Sequence, residues 1–194
     1  MKTRPNNNKK TAKKSSNARL LLLALVVAIA VPVARFVLNA QQALSLLGTG
    51  ALLESVDRYH QDVFRHTRVL VIAYSEQGAM GVVINTPLQQ ALTRYTPAPP
   101  LSDFASYPLS QVQWGGPVDL LTPYALLLDP GGRSFTMVAS KESPSVVYFG
   151  YAGWSAGQLE SEIARGRWRV TKPDAGTLIR LLNLSQQNEQ VPTS

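Results

Sequence analysis

Residues 148–163 read YFGYAGWSAGQLESEI, and this stretch decides how the rest of the chain is arranged. Its first half is rich in aromatic residues, which favour β-strands. Gly150 and Gly153 interrupt the run, so the pattern predicts a strand that breaks at the two glycines. Trp154 is then expected at a tight glycine corner. The corner is a structural signature, and nothing in it requires catalysis.

The second half of this stretch predicts a short amphipathic helix. Ser155 is expected as its N-cap, with Gln158 three residues later completing a capping box. Leu159 and Ile163 are four residues apart and therefore share one face of the helix. Gly166 follows as the expected stop at the C-terminal end.

Composition and charge limit the classes of function. The chain has 194 residues, 45% of them hydrophobic, and no cysteine, which excludes disulfides, thiolate nucleophiles and zinc–thiolate sites. The net charge is +7, but residues 1–19 carry seven basic side chains and no acidic one. The other 175 residues hold 12 basic and 12 acidic side chains, so the folded part has no excess charge to neutralise phosphates. We therefore expect no specific nucleic-acid binding by the domain.

The N-terminal part of the sequence divides into three predicted segments. Residues 1–19 are polar and low in complexity, which predicts a disordered tail. Residues 20–38 form an almost entirely apolar run, close to the ~20 residues that a transmembrane helix needs. Arg35 lies near its end, where its long side chain can reach the lipid headgroups. Residues 39–51 are expected to form a linker.

The charge distribution predicts the orientation of this signal-anchor helix. Because basic flanks stay on the cytoplasmic side, we expect a single-pass protein of the bacterial inner membrane with a cytoplasmic N-terminus and an extracytoplasmic domain. The predicted partners are the membrane, through residues 20–38, and anionic lipid headgroups, through the basic tail. Two alternatives stay open: a cleaved signal peptide, for which residues 28–30 (AIA) fit the small-residue cleavage rule, and a buried core helix.

Residues 52–184 alternate short β-rich runs with short helical patterns, which predicts one α+β domain. Pro173 is expected at the first position of a helix over residues 174–184, and residues 185–194 are expected to fray. The predicted strands are residues 69–74 and 80–85, which form a hairpin, and then 112–114, 124–128, 135–139, the run from Tyr148, and 167–171.

Three segments resemble the YqgE/AlgH family of bacterial proteins. They are residues 76–88 (EQGAMGVVINTPL), 112–118 (VQWGGPV) and 150–163 (GYAGWSAGQLESEI). The resemblance covers residues 52–171 and implies a mixed, mostly antiparallel β-sheet system with flanking short helices. It brings no established catalytic residue and no cofactor, and the biochemical role of the family is unsettled.

The chain departs from the pattern of that family at several places. Gln61–Asp62 stands where the family usually has Asp–Pro, and Ala73–Tyr74 replaces a frequent Glu–His. Between Pro117 and Gly150 the chain is shorter than is usual, as if a strand and a helix were missing. Members are typically soluble and cytoplasmic, whereas this chain carries the predicted anchor.

Two patterns could carry catalysis or bind a metal, and each has a simpler interpretation. Residues 153–157 (GWSAG) match the G-x-S-x-G pattern of serine hydrolases, with His60 or His66 as the available bases. The helix N-cap explains the same serine, so we predict no catalytic residue. His60 and His66 lie near Asp57 and Asp62, but the spacing matches no standard ligand pattern, and we predict no metal site.

The glycines and tryptophans at the predicted turns are the remaining candidates for a site. Glycine at such places usually serves close backbone approach, and tryptophan usually anchors a core. The alternative is that these corners converge on one binding groove that also contains two polar groups. The candidate groove residues are Gly78, Gly81, Asn85, Trp114, Gly115, Gly116, Gly153, Trp154 and Gln158.

The sequence therefore predicts a membrane-anchored, non-catalytic binding or interaction module of the YqgE/AlgH type, with an unknown protein or small-molecule partner. One alternative is a transcription-related regulator that contacts nucleic acid, which requires the opposite topology or a functional tail. The other is a serine hydrolase that acts through Ser155. The topology of the chain separates the first two functions, and the activity of a Ser155→Ala variant tests the third.

Overall fold

The chain divides into two compact units, Met1–Gln41 and Gln42–Ser194. A computed structural model describes residues 8–56, 63–95, 97–128, 135–139 and 146–187. Side chains are described within the same ranges except at residues 8–18, 128, 139 and 183–187.

A long helix, α1, runs from Asn8 to Ser45. Its stretch Arg19–Ser45 contains an 18-residue window with a mean hydropathy of 2.7 and is long and apolar enough to cross a membrane, by length and composition. Residues 8–19 are therefore helical where the sequence predicted a disordered tail, and residues 1–7 lie outside the described ranges. The physical reason is that extending an existing helix needs no new nucleus, so polar residues continue an apolar helix at little cost.

The segment after Gln41 is part of the folded unit, although the sequence predicted a linker over residues 39–51. The helix continues to Ser45, and Ala51 is fully buried. The Gly50 N–H donates to the Val71 carbonyl at 2.7 Å, and the Val71 N–H donates to the Ala51 carbonyl at 2.9 Å. The apolar residues of this segment have a core to pack against, and that burial keeps it ordered.

The second unit combines β-strands with short helices, which confirms the predicted α+β class. The strands are β1 (Leu52–Ser55), β2 (Arg68–Ser75), β3 (Gly78–Val83), β4 (Val112–Trp114), β5 (Val118–Leu128), β6 (Phe135–Ala139), β7 (Val147–Ser155) and β8 (Trp168–Thr171). The helices are α2 (Leu88–Leu92), α3 (Gln158–Ala164) and α4 (Ala175–Gln187), with single 3₁₀ turns at Leu101–Phe104 and Leu109–Gln111.

The strands form one sheet in the order β6-β5-β7-β3-β2-β1-β8, with β4 paired to β7 outside this path. The β4–β7 pair is parallel, and the other described strand pairs are antiparallel. The mixed, mostly antiparallel sheet is therefore confirmed. The predicted hairpin is confirmed as β2–β3, and its turn lies between Ser75 and Gly78.

Hydrophobic cores lie on both faces of the sheet, because alternate residues of β2 and β3 point to opposite sides. The first core contains Val69, Val71, Val83, Val112, Trp114, Phe149, Trp154, Leu159 and Ile163, among others. The second contains Leu70, Ile72, Val82, Ile84, Phe135, Tyr148 and Leu178. Helix α3 packs on the first core and α4 on the second, so β2 and β3 are covered on both sides.

The predicted break in the strand at Gly150 and Gly153 is wrong, because β7 continues through both glycines to Ser155. Ser155 pairs with Gly78 and stays in the strand, so it is not the N-cap of α3. That helix begins at Gln158, after Gly157 in the left-handed region with φ +72°. Half of the predicted capping box still forms, since the Ser155 N–H donates to Gln158 Oε1 at 3.1 Å.

The structure also differs from the sequence prediction at both ends of the domain. Strand β1 was not predicted, because its four residues follow an apolar run and show no clear alternation. Helix α4 begins at Ala175, and Asp174 caps it by accepting the Thr177 N–H at 2.9 Å, whereas Pro173 lies before the cap. The helix ends at Gln187, within the segment expected to fray, and residues 188–194 lie outside the described ranges.

Candidate functional site

Strand β7 changes partner in its middle, and the glycine-rich corner is built around that change. Residues 147–149 pair with β4, and residues 152–155 pair with β3. Gly150 lies at the change, in the left-handed region with φ +71°. The backbone of Gly115 joins the two pairings. Its N–H donates to the Phe149 carbonyl and its carbonyl accepts the Val83 N–H, both at 2.8 Å.

The backbones at this corner approach so closely that side chains are excluded. A Cβ atom on Gly115 would lie 2.1 Å from the Gly150 carbonyl oxygen. A Cβ atom on Gly116 would lie 2.1 Å from the carbonyl carbon of Tyr151. Both distances are far below van der Waals contact, so these glycines are required by packing whatever the protein binds.

A single carboxylate, Glu162, joins helix α3 to two strands of the sheet. Glu162 Oε2 accepts hydrogen bonds from the indole N–H groups of Trp154, at 3.1 Å, and Trp168, at 2.7 Å. Its other oxygen accepts the Gln158 side-chain N–H at 3.2 Å. This role of Glu162 was not predicted from the sequence. The four-residue spacing from Gln158, which puts both on one helix face, is the signal that could have found it.

The tryptophans are linked through the first core by ring contacts. Trp114 and Phe64 have centroids 5.8 Å apart, Phe64 and Trp168 5.7 Å, and Trp168 and Trp154 6.1 Å. Trp114 is fully buried and Trp154 is 7% exposed, and the Trp114 indole N–H donates to the Tyr95 hydroxyl at 3.1 Å. These rings therefore anchor the core.

The structure places the nine candidate groove residues in three regions. Gly78, Gly153, Trp154 and Gln158 lie together at the β2–β3 turn end of the sheet; Gly81, Gly115 and Gly116 lie at the β7 crossing; Asn85 and Trp114 lie towards the other end. The first region contains the exposed Gly153 and Gln158. A binding groove stays a prediction, and this region is where exposed members of the set meet.

Asn85 has a structural role at the opposite end of β2 and β3. Its Oδ1 accepts the Arg68 N–H at 2.7 Å, and its Nδ2 donates to the His66 carbonyl at 3.0 Å. The side chain thereby fastens the turn before β2 to the end of β3. It does not contribute to the region around Gln158.

Ser155 and His66 lie at opposite ends of the hairpin strands. Ser155 pairs with Gly78 beside the β2–β3 turn, whereas His66 precedes the first residue of β2, Arg68. The eight residues of β2 span roughly 25 Å, so His66 is too far from Ser155 to act as its base. The other possible base, His60, lies outside the described ranges.

The predicted absence of a metal site stays a prediction. Over the residues that the structure describes, no three histidine, aspartate or glutamate side chains are grouped to hold an ion. Asp57, His60 and Asp62 belong to the segment that is not described, so the pattern around the two histidines is not tested.

The pKa values of Tyr74 and Tyr95 are raised, which favours hydrogen bonding by these side chains over proton transfer. The Tyr74 hydroxyl donates to Glu160 at 2.6 Å, and this bond, with burial, raises the pKa of Tyr74 above its ordinary value. Burial raises the pKa of Tyr95 as well. Both phenols therefore keep their protons at neutral pH and act as hydrogen-bond donors and acceptors.

The match to a family model decides the identity of the second unit. The model of the DUF179 family, described as AlgH-like, matches residues 52–133 and 131–190. The chain belongs to the AlgH-like family. This confirms the resemblance inferred from the three sequence motifs.

Relatives of this AlgH-like chain are named as UPF0301 proteins. One from Thioalkalivibrio sulfidiphilus is 34% identical over 137 residues, which cover 61% of this chain and 74% of that protein. One from Sphingopyxis alaskensis is 34% identical over 143 residues, covering 63% and 76%. One from Ralstonia pickettii is 32% identical over 147 residues, covering 65% and 77%. These names state a family and no activity.

Solved structures also show similarity to the AlgH-like chain. The solution structure of the AlgH protein from Pseudomonas aeruginosa is 24% identical with a TM-score of 0.46, covering 67% of this chain and 79% of that one. A crystal structure of a protein from Corynebacterium diphtheriae is 18% identical with a TM-score of 0.47, covering 67% and 78%.

The match to the family model comes in two segments. The two matched segments meet at residues 131–133, between Pro117 and Gly150.

Proposed function

We propose that this AlgH-like chain is a membrane-anchored, non-catalytic binding module whose folded unit lies outside the cytoplasm. One observation carries the proposal: the 27-residue helical stretch Arg19–Ser45 contains an 18-residue window with a mean hydropathy of 2.7. Its apolar side chains are exposed, with Leu20 and Leu38 each 62% accessible. A helix of ~20 apolar residues is the length that crosses a bilayer.

The charges before this helix support the orientation. Residues 1–19 carry seven basic side chains and no acidic one, whereas Arg35 is the one charged residue between Leu20 and Leu53. Because basic flanks are retained on the cytoplasmic side, the proposed topology is a single-pass inner-membrane protein with its N-terminus in the cytoplasm. The basic tail then faces the anionic leaflet, to which each basic residue near the surface adds about 1 kcal/mol of attraction.

The geometry of the second unit supports binding over hydrolysis. Ser155 is held in a strand beside the β2–β3 turn, and His66 lies at the far end of that hairpin. The surface that we propose for an extracytoplasmic protein or small-molecule partner is the turn end of the sheet around Gly153 and Gln158. Glu162 accepts hydrogen bonds from the Trp154 indole and the Gln158 side chain there, which holds both side chains in place.

Reporter fusions after Gln187 test the proposed topology. An alkaline phosphatase fusion is expected to be active and a green fluorescent protein fusion dark. A matched variant with the seven basic residues of the tail replaced by glutamine is expected to lose this bias, because the positive-inside signal is removed. The reverse pattern in the wild type, a bright green fluorescent protein and an inactive phosphatase, would contradict the proposal and favour a cytoplasmic regulator.

An epitope tag at the N-terminus separates an anchor from a cleaved signal peptide. The tag is expected to remain on the mature, membrane-bound protein at the mass of the full chain. Loss of the tag, with release of the folded unit into the soluble extracytoplasmic fraction, would show cleavage and contradict the anchor.

A further inference from the structure

Two polar side chains are buried next to each other on the face of the sheet that α4 covers. Gln113 is 5% exposed and Tyr148 is 4% exposed. They are register partners in the parallel β4–β7 pair, so their side chains leave adjacent strands side by side. Their neighbours Val112, Trp114 and Phe149 face the first core, which places Gln113 and Tyr148 on the second.

Neither polar group is satisfied by the described part of the protein. Over those residues, no hydrogen bond reaches the Gln113 carboxamide or the Tyr148 hydroxyl. Burial raises the pKa of Tyr148 to about 12, and no hydrogen bond contributes to that shift. A buried polar group left unpaired costs about 1–3 kcal/mol, so two side by side are a strong indication that something else pairs with them.

Among the residues that the structure describes, the buried side chains that form the core around Tyr148 are apolar. The buried members of the same core are aliphatic and aromatic: Leu70, Ile72, Val82, Ile84, Phe135 and Leu178. A charged ligand would have to lose its hydration here without a counter-charge, which is costly. A neutral ligand with one polar group and an apolar body matches both the pair and its walls.

We propose that Gln113 and Tyr148 form a binding site for a small neutral molecule that carries a carboxamide. The Gln113 side chain has both a carbonyl acceptor and an N–H₂ donor, and the Tyr148 hydroxyl can donate or accept. A carboxamide presents the complementary donor and acceptor, so its N–H donates to the Gln113 carbonyl and its carbonyl accepts from Tyr148. The apolar part of the ligand packs against Ile84 and Phe135.

The site goes beyond the proposed binding module by naming a ligand class, and it lies wholly within the second unit. Its residues contribute to neither the membrane helix nor the turn end of the sheet. The two proposals can therefore be disproved independently. A negative result for this site would not bear on the membrane topology, and a different topology would not bear on this site.

Thermal unfolding of the full-length protein in detergent, with benzamide as the probe, tests the site. At about ten times its dissociation constant, benzamide is expected to raise the unfolding midpoint by about 3–5 °C. Benzoate, with the same ring and a charge, and toluene, without a hydrogen-bonding group, are expected to give no comparable rise. No rise with benzamide, or an equal rise with toluene, would overturn the proposal.

Conservative variants show whether the effect belongs to this pair. Tyr148→Phe and Gln113→Leu keep the size of each side chain and are expected to weaken benzamide binding at least tenfold. Tyr124→Phe, on the strand beside Tyr148, is the matched control and is expected to keep the wild-type response. If Tyr148→Phe retains the full benzamide response, the hydroxyl does not bind the probe and the proposal is wrong.

Discussion

The carbonyl oxygen of Gly150 occupies the place that a side chain on Gly115 would need, since a Cβ atom there would lie 2.1 Å from it. This contact lets β7 exchange its parallel partner, β4, for its antiparallel partner, β3. The glycine corner that dominates the sequence is therefore the crossing point of the sheet, and its sequence pattern follows from backbone packing.

We predict that Gly115→Ala is strongly destabilising. The added methyl group forces the β4 and β7 backbones apart, which should cost about 3 kcal/mol or more in the free energy of unfolding. Gly153→Ala is the matched control on the same strand system, because a Cβ atom there would meet its nearest neighbour, a Tyr151 ring carbon, at 3.5 Å. Urea unfolding compares the midpoints of the two variants. Equal midpoints would contradict the close backbone approach at Gly115.

We predict that Glu162→Leu destabilises the protein more than Glu160→Gln does. The first change leaves the buried indole N–H groups of Trp154 and Trp168 without their acceptor, at about 1–3 kcal/mol for each. The second affects one exposed hydrogen bond, to Tyr74, and should cost less than about 1 kcal/mol. Tryptophan fluorescence during urea unfolding measures both, and a Glu162→Leu variant as stable as the wild type would disprove the role of the carboxylate.

The parts of the fold that depend on local pattern could be predicted from the sequence. The β2–β3 hairpin follows from two β-rich runs around a glycine turn, and β4 and β6 have the bounds that their residues indicate. The three motifs indicated the AlgH-like family, and with it the mixed sheet. The apolar run of α1 was visible for the same reason, because composition alone defines it.

The parts of the fold and of the candidate site that depend on tertiary contacts could not be predicted from the sequence. Ser155 has the residue type of an N-cap, but its pairing with Gly78 keeps it in β7. The three donors of Glu162 come from separate positions that meet when α3 packs on the sheet. Gln113 reads as an ordinary polar strand residue, and its burial beside Tyr148 emerges only from the parallel register of β4 and β7.

We predict that the folded unit requires the residues before Leu52. A chain that begins at Gln42 is expected to fold, whereas one that begins at Leu52 loses the buried Ala51 and the hydrogen bonds that join Gly50 and Ala51 to Val71. The shorter chain should unfold at least several degrees lower. Thermal unfolding by circular dichroism compares the two, and equal midpoints would show that this segment contributes nothing to the fold.

We predict a stabilising interaction of Tyr124 that is lost only in strong alkali. Its hydroxyl donates to Asp119, and this bond, with burial, raises the pKa of Tyr124 from 10 to about 12. A raised tyrosine pKa favours the protonated, folded form, so the contribution is full below pH 10 and disappears as the pH rises through about 12.

An ultraviolet titration of tyrosinate measures this pKa. Asp119→Ala is expected to bring the pKa of Tyr124 back towards its ordinary value, and the transition is identified by its loss in Tyr124→Phe. An unchanged titration curve in Asp119→Ala would show that the hydrogen bond does not control Tyr124.

Labelling of single cysteines tests most directly whether the folded unit lies outside the cytoplasm. The chain has no cysteine, so Gln90→Cys, on the exposed side of α2, and Ser16→Cys, in the basic tail, each provide one reactive thiol. In cells with a permeabilised outer membrane, a membrane-impermeant maleimide is expected to label the Gln90→Cys variant and to spare Ser16→Cys until the inner membrane is disrupted. Labelling of Ser16→Cys with protection of Gln90→Cys would contradict the proposed topology.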